Sequence, residues 1–182
     1  TGAMKGFSDD PPWEEVKTSI REVEIGSGVT SIGDWAFFGC SALKSVTIPS
    51  SITSIGNYAF EGCKALTSVT IPSSITSIGV SAFNNCSALK SVTIPKSVTS
   101  IGESTFNNCS ALKSVTIPES VTSIGKHAFR LCSALASVVF CGNEPKSVGE
   151  DPFVIVADGC VARVKKGTTW TVDENGKWYG LK

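Results

Sequence analysis

The chain has 182 residues, of which 41% are hydrophobic, and its 16 basic residues balance 16 acidic ones. This length corresponds to one domain, and the balanced charge predicts neither a nucleic-acid partner nor binding to an anionic membrane surface. The sequence opens at Thr1 without a basic segment followed by an apolar run, so neither a signal peptide nor a membrane span is predicted in it.

Residues 1–19 have the features of a cap for the end of a hydrophobic core. A polar residue and two prolines precede a short helical pattern, with acidic residues in its first turn and apolar residues spaced to point inward. These residues are Asp10, Pro11, Pro12, Glu14, Glu15, Val16 and Ile20. Trp13 is expected to cover the core rather than to offer a platform for a ligand.

A 23-residue unit then recurs without insertion from Ile20 to Phe140. A short fixed period means that each unit is one coil, which buries its apolar side chains only against the neighbouring coils. The sequence therefore predicts a solenoid of about seven coils, and solenoids display surfaces more often than they carry out chemistry.

Each unit has the same order of elements, which the third copy illustrates. Leu66 comes first, and the alternation of Val69 and Ile71 predicts a strand with one buried face. Pro72 ends the pairing, and Gly79 marks a second corner. The stretch from Gly79 to the next Cys has room for about one helical turn. Equivalent strands are expected to stack in parallel on one side.

The positions that vary between copies predict the outer surface, because a packed interior tolerates little change. They include the two residues after each corner glycine and the two before each repeat cysteine. The first set is Asp34 and Trp35, Asn57 and Tyr58, Val80 and Ser81, Glu103 and Ser104, Lys126 and His127.

Five of the seven cysteines occupy one inward column of the repeat: Cys40, Cys63, Cys86, Cys109 and Cys132. Side chains stacked in this way point in the same direction, whereas a disulfide needs converging Cβ atoms, so unpaired core thiols are expected. Zinc binding is an alternative that lacks a Cys-x-x-Cys pair or a nearby histidine. In the coil register, Cys141 lies beside Lys165, and Cys160 is about five residues earlier on the same strand as Lys165, about 16 Å away. This pair is therefore also expected to stay unbridged.

The segment 141–182 preserves the repeat in degenerate form. With one inserted residue, Val148, Gly149, Phe153, Val156 and Val164 fall where Ile124, Gly125, Phe129, Cys132 and Phe140 fell. A corner at residues 142–145 and a last strand at residues 161–165 are expected. Trp170 is expected to close the end of the core, and Asp173 to Gly176 to turn into a short tail with Trp178 and Tyr179.

The repeat, written LxxVxIPxx[IV]TSIGxxAFxxCSA, is matched five times and resembles the BspA-type leucine-rich repeat of the Treponema pallidum class. Thr105 in place of Ala, and the missing Cys of the final coil, are the departures. The resemblance implies a leucine-rich repeat solenoid of the α/β class, a right-handed superhelix of short parallel strands and short helical or 3-10 turns. It also implies a single domain over 1–182, with a truncated N-terminal cap at 1–19, regular repeats at 20–140, and a degenerate coil and C-terminal cap at 141–182.

The resemblance further implies a secreted or cell-surface protein of host-associated bacteria or protists, at an extracellular location. Family members are linked to adhesion to host matrix proteins and to other microbes. Leucine-rich solenoids bind protein partners through the outward strand positions of a concave sheet, which are here Ser45, Thr47, Ser68, Thr70, Ser91, Thr93, Ser114 and Thr116.

These eight positions lack the Trp, Tyr and Arg anchors of tight interfaces. Glu22 and Glu24 at one end and Arg163 and Lys165 at the other give the face polarity. A convex stripe of Trp35, Tyr58 and His127 is a second candidate for the binding surface. A rigid spacer that presents neighbouring domains is the alternative function, and weak self-association at the coil ends is a further expectation.

An enzyme is not expected from this sequence. His127 is the only histidine, and it lies at a variable position. No pair of carboxylates recurs on neighbouring strands, and neither a nucleophile elbow nor a glycine-rich phosphate loop is present. The sequence therefore predicts no catalytic residue, no cofactor and no metal.

Overall fold

Each coil of the protein contributes two short strands, one to each of two parallel faces. The structure is a computed structural model, and it describes residues 2–4, 6, 11–168, 170, 178, 179 and 181. The first face holds β2 (Glu22–Glu24), β4 (Ser45–Thr47), β6 (Ser68–Thr70), β8 (Ser91–Thr93), β10 (Ser114–Ile117), β12 (Ser137–Phe140) and β14 (Val161–Arg163). The second holds β1 (Gly2–Ala3), β3 (Val29–Ile32), β5 (Ser54–Ile55), β7 (Ser77–Ile78), β9 (Ser100–Ile101), β11 (Ser123–Ile124) and β13 (Ser147–Val148).

The first face confirms the predicted stack of parallel strands. Its ladders run in the orders β14-β12-β10-β8-β6 and β2-β4, and equivalent residues of successive repeats pair directly, as Val69 does with Val92. A slip of one residue would turn every buried side chain outward. The 23-residue period therefore sets the register, because each coil must place the same column against its neighbour.

The second face was not predicted as a sheet. Its ladders run β1-β3-β5-β7 and β9-β11-β13, and most of its strands are only two residues long. The corner glycine that follows each strand permits a close approach of the backbones. A Cβ atom at Gly79 would lie 2.5 Å from the backbone nitrogen of Asn57, which no real side chain tolerates.

The stretch after the corner glycine forms linked turns rather than the expected helical turn. Alternate amides bond within the coil and to the next coil: Phe38 N donates to Trp35 O at 3.0 Å, while Phe37 N donates to Ala59 O at 2.7 Å. The backbone is left-handed at two positions in every coil. The first set is Trp35, Tyr58, Ser81, Ser104, His127 and Asp151, and the second is Gly39, Gly62, Asn85, Asn108, Leu131 and Ile155. Because half of the amides are used between coils, a continuous helix does not form.

The core is a column of stacked phenylalanine rings along the solenoid axis. Neighbouring rings lie 5.3 to 5.5 Å apart between centroids and within 15° of parallel, in the order Trp13, Phe37, Phe60, Phe83, Phe106, Phe129 and Phe153. The leucines that head the units, such as Leu66 and Leu89, are fully buried beside them. The core is therefore a repeated layer, and each layer depends on the two adjacent ones.

The N-terminal cap has the predicted lid. Trp13 stacks on Phe37 at 5.5 Å, and its indole nitrogen donates to the carbonyl of Ala36 at 3.0 Å. The helix that follows is a 3-10 helix, Glu14–Ser19, without a side-chain cap, and Asp10 lies outside the described residues. The expectation that Val16 points inward is wrong, since it is 54% exposed. Because a 3-10 helix has three residues per turn, Glu14, Lys17 and Ile20 share one side of it. These half-buried residues face the protein in place of Val16.

The last coil confirms the predicted alignment but places Trp178 differently. Phe153 stacks on Phe129, and Trp170 lies 4.6 Å from Phe140, as expected for a residue that closes the end. Trp178, expected in a tail, is 3% exposed and donates to Glu144 at 2.8 Å. Trp178 is buried because it covers the aromatic rings of the last layer, which would otherwise be exposed. The turn expected at 173–176 lies outside the described residues.

Candidate functional site

The eight candidate residues lie together on the first face as two straight rows, which we call the serine-threonine face. One row is Ser45, Ser68, Ser91 and Ser114, and the other is Thr47, Thr70, Thr93 and Thr116. All eight are exposed. The ladders pair members of each row directly, as in Ser68 with Ser91 and Thr93 with Thr116, so adjacent hydroxyls sit about 4.8 Å apart along the axis.

The hydroxyls of this face are available to a ligand, unlike those at the corners. Ser74 Oγ donates to the carbonyl of Ile52 at 2.6 Å, and Thr76 Oγ1 donates to that of Thr53 at 3.3 Å, so these corner hydroxyls join one coil to the next. None of the eight hydroxyls of the serine-threonine face forms a hydrogen bond with any residue that the structure describes. Each is therefore free to act as a donor and as an acceptor.

The two ends of the face have opposite charge, as the sequence indicated. Glu22 and Glu24 pair with Ser45 and Thr47 at the N-terminal end. Arg163 continues the threonine row at the C-terminal end, and its guanidinium donates to Ser137 Oγ at 3.4 Å. An elongated partner would therefore meet a defined polarity along the axis.

A further row of charged residues borders the serine row, and it was not predicted from the sequence. It occupies the position before each strand and comprises Arg21, Lys44, Lys90 and Lys113, which we call the basic row. All four side chains are exposed, and Thr67 and Ala136 occupy the same column in other coils. The signal was present as a basic residue before the SVT of three strands, but its significance depends on the stacking of the coils.

The second candidate, the stripe of Trp35, Tyr58 and His127, is only partly brought together. Trp35 and Tyr58 stack in adjacent coils with centroids 5.3 Å apart. His127 lies three coils from Tyr58, about 14 Å along the axis. Ser81, in the same column, was expected at the surface but is 6% exposed. It is short and lies beside the larger Tyr58 in the stack, so its neighbours shield it.

Two of the variable positions in this region have a structural role. The carboxylate of Asp34 accepts from the backbone nitrogen of Asn57 at 2.7 Å, and the amide oxygen of Asn57 accepts from that of Val80 at 2.8 Å. These side chains therefore join successive coils at the corner that follows the glycine. Their variation between copies does not make them recognition residues.

The repeat cysteines are core residues with protonated thiols. Cys86 Sγ donates to the carbonyl of Phe60 at 3.2 Å, and Cys63, Cys109 and Cys132 make the equivalent bond. Burial raises the pKa of Cys40 to about 11 and that of Cys132 to about 12, because the thiolate would lose its hydration. These thiols are therefore poor nucleophiles and poor metal ligands.

All seven cysteines are free, and Cys141 is exposed. Within the described part of the chain, no three His, Cys, Asp or Glu side chains are grouped so that they could hold a metal ion. The same part of the chain contains no helix with the length and apolar character needed to cross a bilayer.

The stacked parallel coils, in five of which a strand follows a buried leucine, define a leucine-rich repeat solenoid. This fold is typical of non-enzymatic scaffolds for protein interaction. The sequence pattern of the family described as "BspA type Leucine rich repeat region" matches residues 16–151 in six copies. The chain belongs to this family.

Several experimental structures resemble this one. The T. pallidum leucine-rich repeat protein is 27% identical, with 87% of this chain and 85% of that chain covered and a TM-score of 0.68. The pneumococcal vaccine antigen PcpA is 17% identical over 84% of this chain and 47% of its own, with a TM-score of 0.58, which shows a shared fold. A leucine-rich cell surface protein from Faecalibacterium prausnitzii is 27% identical over 78% and 52%, with a TM-score of 0.45. No curated protein sequence matches this chain.

Proposed function

We propose that the protein is a non-enzymatic binding module of a secreted or cell-surface protein, and that it adheres to host matrix proteins or to other cells through the serine-threonine face. Membership of the BspA-type family supports the proposal, since leucine-rich repeat proteins of this kind are commonly protein-binding surface proteins. The observation that carries the choice of face is the set of eight exposed hydroxyls without a partner in the described structure.

The chemistry of the face sets the strength of binding that we expect. Hot spots of tight protein interfaces are rich in Trp, Tyr and Arg, whereas the eight residues of this face are all Ser or Thr. Hydrogen bonds from a regular row of hydroxyls favour an extended partner that contacts several coils at once. We therefore expect dissociation constants of roughly micromolar order, at the weak end of the range for specific complexes.

The test is biolayer interferometry of this protein against fibronectin, fibrinogen, collagen and mucin. A double variant, Thr70→Arg with Thr93→Arg, places two bulky cations in the centre of the face. The matched control is Thr76→Arg with Thr99→Arg, because both of these threonines are also exposed and lie in adjacent coils, at the corner.

Saturable binding that the Thr70/Thr93 variant loses and the Thr76/Thr99 variant retains would support adhesion through the serine-threonine face. Binding that both variants retain would assign the site to another surface. Absence of binding to all four proteins at micromolar concentration would contradict adhesion to these partners and favour the rigid spacer, a role that suits the unbroken stack of rings from Trp13 to Phe153.

A further inference from the structure

The basic row is a straight column of cations along the edge of the serine-threonine face. The backbone nitrogen of Lys44 donates to Arg21 O at 2.8 Å, that of Lys90 to Thr67 O at 2.9 Å, and that of Lys113 to Lys90 O at 3.4 Å. These bonds continue the ladder of β2 to β12 by one residue. The Cα atoms of the row are therefore about 4.8 Å apart per coil, and the row from Lys44 to Lys113 covers about 14 Å.

The lysines of this row have no counter-charge, in contrast to Lys96 and Lys126. Lys96 pairs with Glu119 at 3.7 Å, and Lys126 pairs with Glu150 at 2.6 Å. Among the described residues, Lys44, Lys90 and Lys113 form no ion pair. The carboxylates of the face, Glu22 and Glu24, lie on β2 at the N-terminal end, beside Arg21 and one strand from Lys44. They offset charge at that end, so the surplus of cations lies from Lys44 toward Lys90 and Lys113.

The strip is bordered by hydroxyls on one side. Each lysine precedes a serine of the serine-threonine face, and the threonine row follows two residues later, so the three rows form a band about 10 Å wide. At the C-terminal end, Arg163 occupies the threonine row and adds a cation to the same band. From β4 to β14 the outward strand positions and the basic row contain four cations and no acidic residue.

We propose that this band binds a linear acidic polysaccharide, one that carries sulfate or carboxylate groups, along the axis of the solenoid. Lys44, Lys90, Lys113 and Arg163 contact the anionic groups, and the serine and threonine hydroxyls exchange hydrogen bonds with the hydroxyls of the sugars. The regular spacing of the coils matches a ligand that is itself a repeating chain.

Other anionic partners fit the band less well. Single-stranded nucleic acid is held by aromatic side chains on which the bases stack, and tight binding of a protein segment relies on aromatic anchors such as Trp and Tyr. The eight residues of the face and the four of the basic row contain neither. A polysaccharide needs only cations and hydroxyls from this band, which is what the band provides.

The test measures heparin binding by isothermal titration calorimetry at several NaCl concentrations, with poly-glutamate and an oligothymidylate as comparison ligands. Because the net charge of the protein is zero, binding to heparin requires a local cationic surface. The loss variant is Lys44→Gln, Lys90→Gln and Lys113→Gln. The control is Lys96→Gln, Lys126→Gln and Lys146→Gln, which removes the same charge from exposed lysines outside the band.

A gain variant avoids any ambiguity from loss of folding. Thr67→Lys fills the gap between Lys44 and Lys90 with an exposed cation. We expect this variant to bind heparin at least threefold more tightly, the loss variant to bind at least tenfold more weakly, and the control to bind within twofold of the original. Four contacts predict that log K falls with log salt at a slope of about −3, and the loss variant should have a slope near −1.

The proposal is overturned if the loss variant and the control bind alike, if Thr67→Lys has no effect, or if poly-glutamate or the oligothymidylate binds as tightly as heparin. Adhesion to proteins through the serine-threonine face is tested separately by Thr70→Arg with Thr93→Arg. The failure of one proposal therefore does not imply the failure of the other.

Discussion

Alkaline pH is expected to unfold this protein through its buried thiols. In the unfolded chain the cysteines ionise around their ordinary pKa of 9.0, whereas in the folded protein burial raises the pKa of Cys40 to about 11 and of Cys132 to about 12. The pKa values of Cys63, Cys86 and Cys109 are raised for the same reason. The folded state keeps protons that the unfolded state loses, so stability is complete below about pH 9 and falls as the pH rises toward the folded values.

The magnitude follows from the number of thiols in the column. One pKa unit corresponds to about 1.4 kcal/mol, so at pH 10 each thiol that ionises only in the unfolded chain lowers the free energy of unfolding by about 1.4 kcal/mol. Five such thiols lower it by about 7 kcal/mol, which is comparable with the whole stability of a typical domain, about 5 to 15 kcal/mol.

The assay is urea denaturation followed by far-UV circular dichroism at pH 7, 8, 9 and 10, with a reductant present. Cys109→Ser should reduce the loss between pH 8 and pH 10 by about 1.4 kcal/mol, since it removes one titrating group. Cys141→Ser is the control, because Cys141 is exposed. The reasoning would be refuted by a free energy of unfolding that is constant from pH 8 to pH 10, or by the same pH dependence in Cys109→Ser as in the original protein.

Three further predictions concern single residues. Phe83→Ala removes a fully buried ring from the centre of the stack and should cost about 3 to 5 kcal/mol in chemical denaturation; a cost below about 1 kcal/mol would contradict the role of the stack. Leu131→Asn should stabilise the protein by about 1 kcal/mol and raise Tm by about 2 to 4 °C. The backbone of Leu131 is left-handed at φ 61°, which asparagine adopts more readily than leucine, and the new side chain would add one more hydrogen bond to the row that joins Asn108 to Asn85. Calorimetry that shows a lower Tm would argue against this prediction. Ellman's reagent should modify one thiol of the native protein within minutes and seven in denaturant, and Cys141→Ser should abolish the fast reaction, whereas rapid labelling of further thiols would show that the cysteine column opens.

The sequence by itself determined the coil, the first face and the core. Leu66, Val69 and Cys86 each have equivalents at the same interval along the chain. A packed interior restricts these positions to similar side chains in every copy. Repetition thus served as an internal comparison that separated buried from exposed positions. The same logic placed the serine-threonine face correctly on the surface, while its binding role stays a prediction.

Only the tertiary structure decided the features that depend on partners one coil away. The Ser-Ile pairs such as Ser77–Ile78 form a second sheet because their hydrogen bonds go to the next coil, and the residues after the corner glycine alternate between partners in two coils. Trp178 is buried because the last aromatic layer needs a cover, and Lys44 and Lys90 form a row because stacking aligns residues 46 positions apart. In each case the interaction is non-local, so the pattern within one repeat does not contain it.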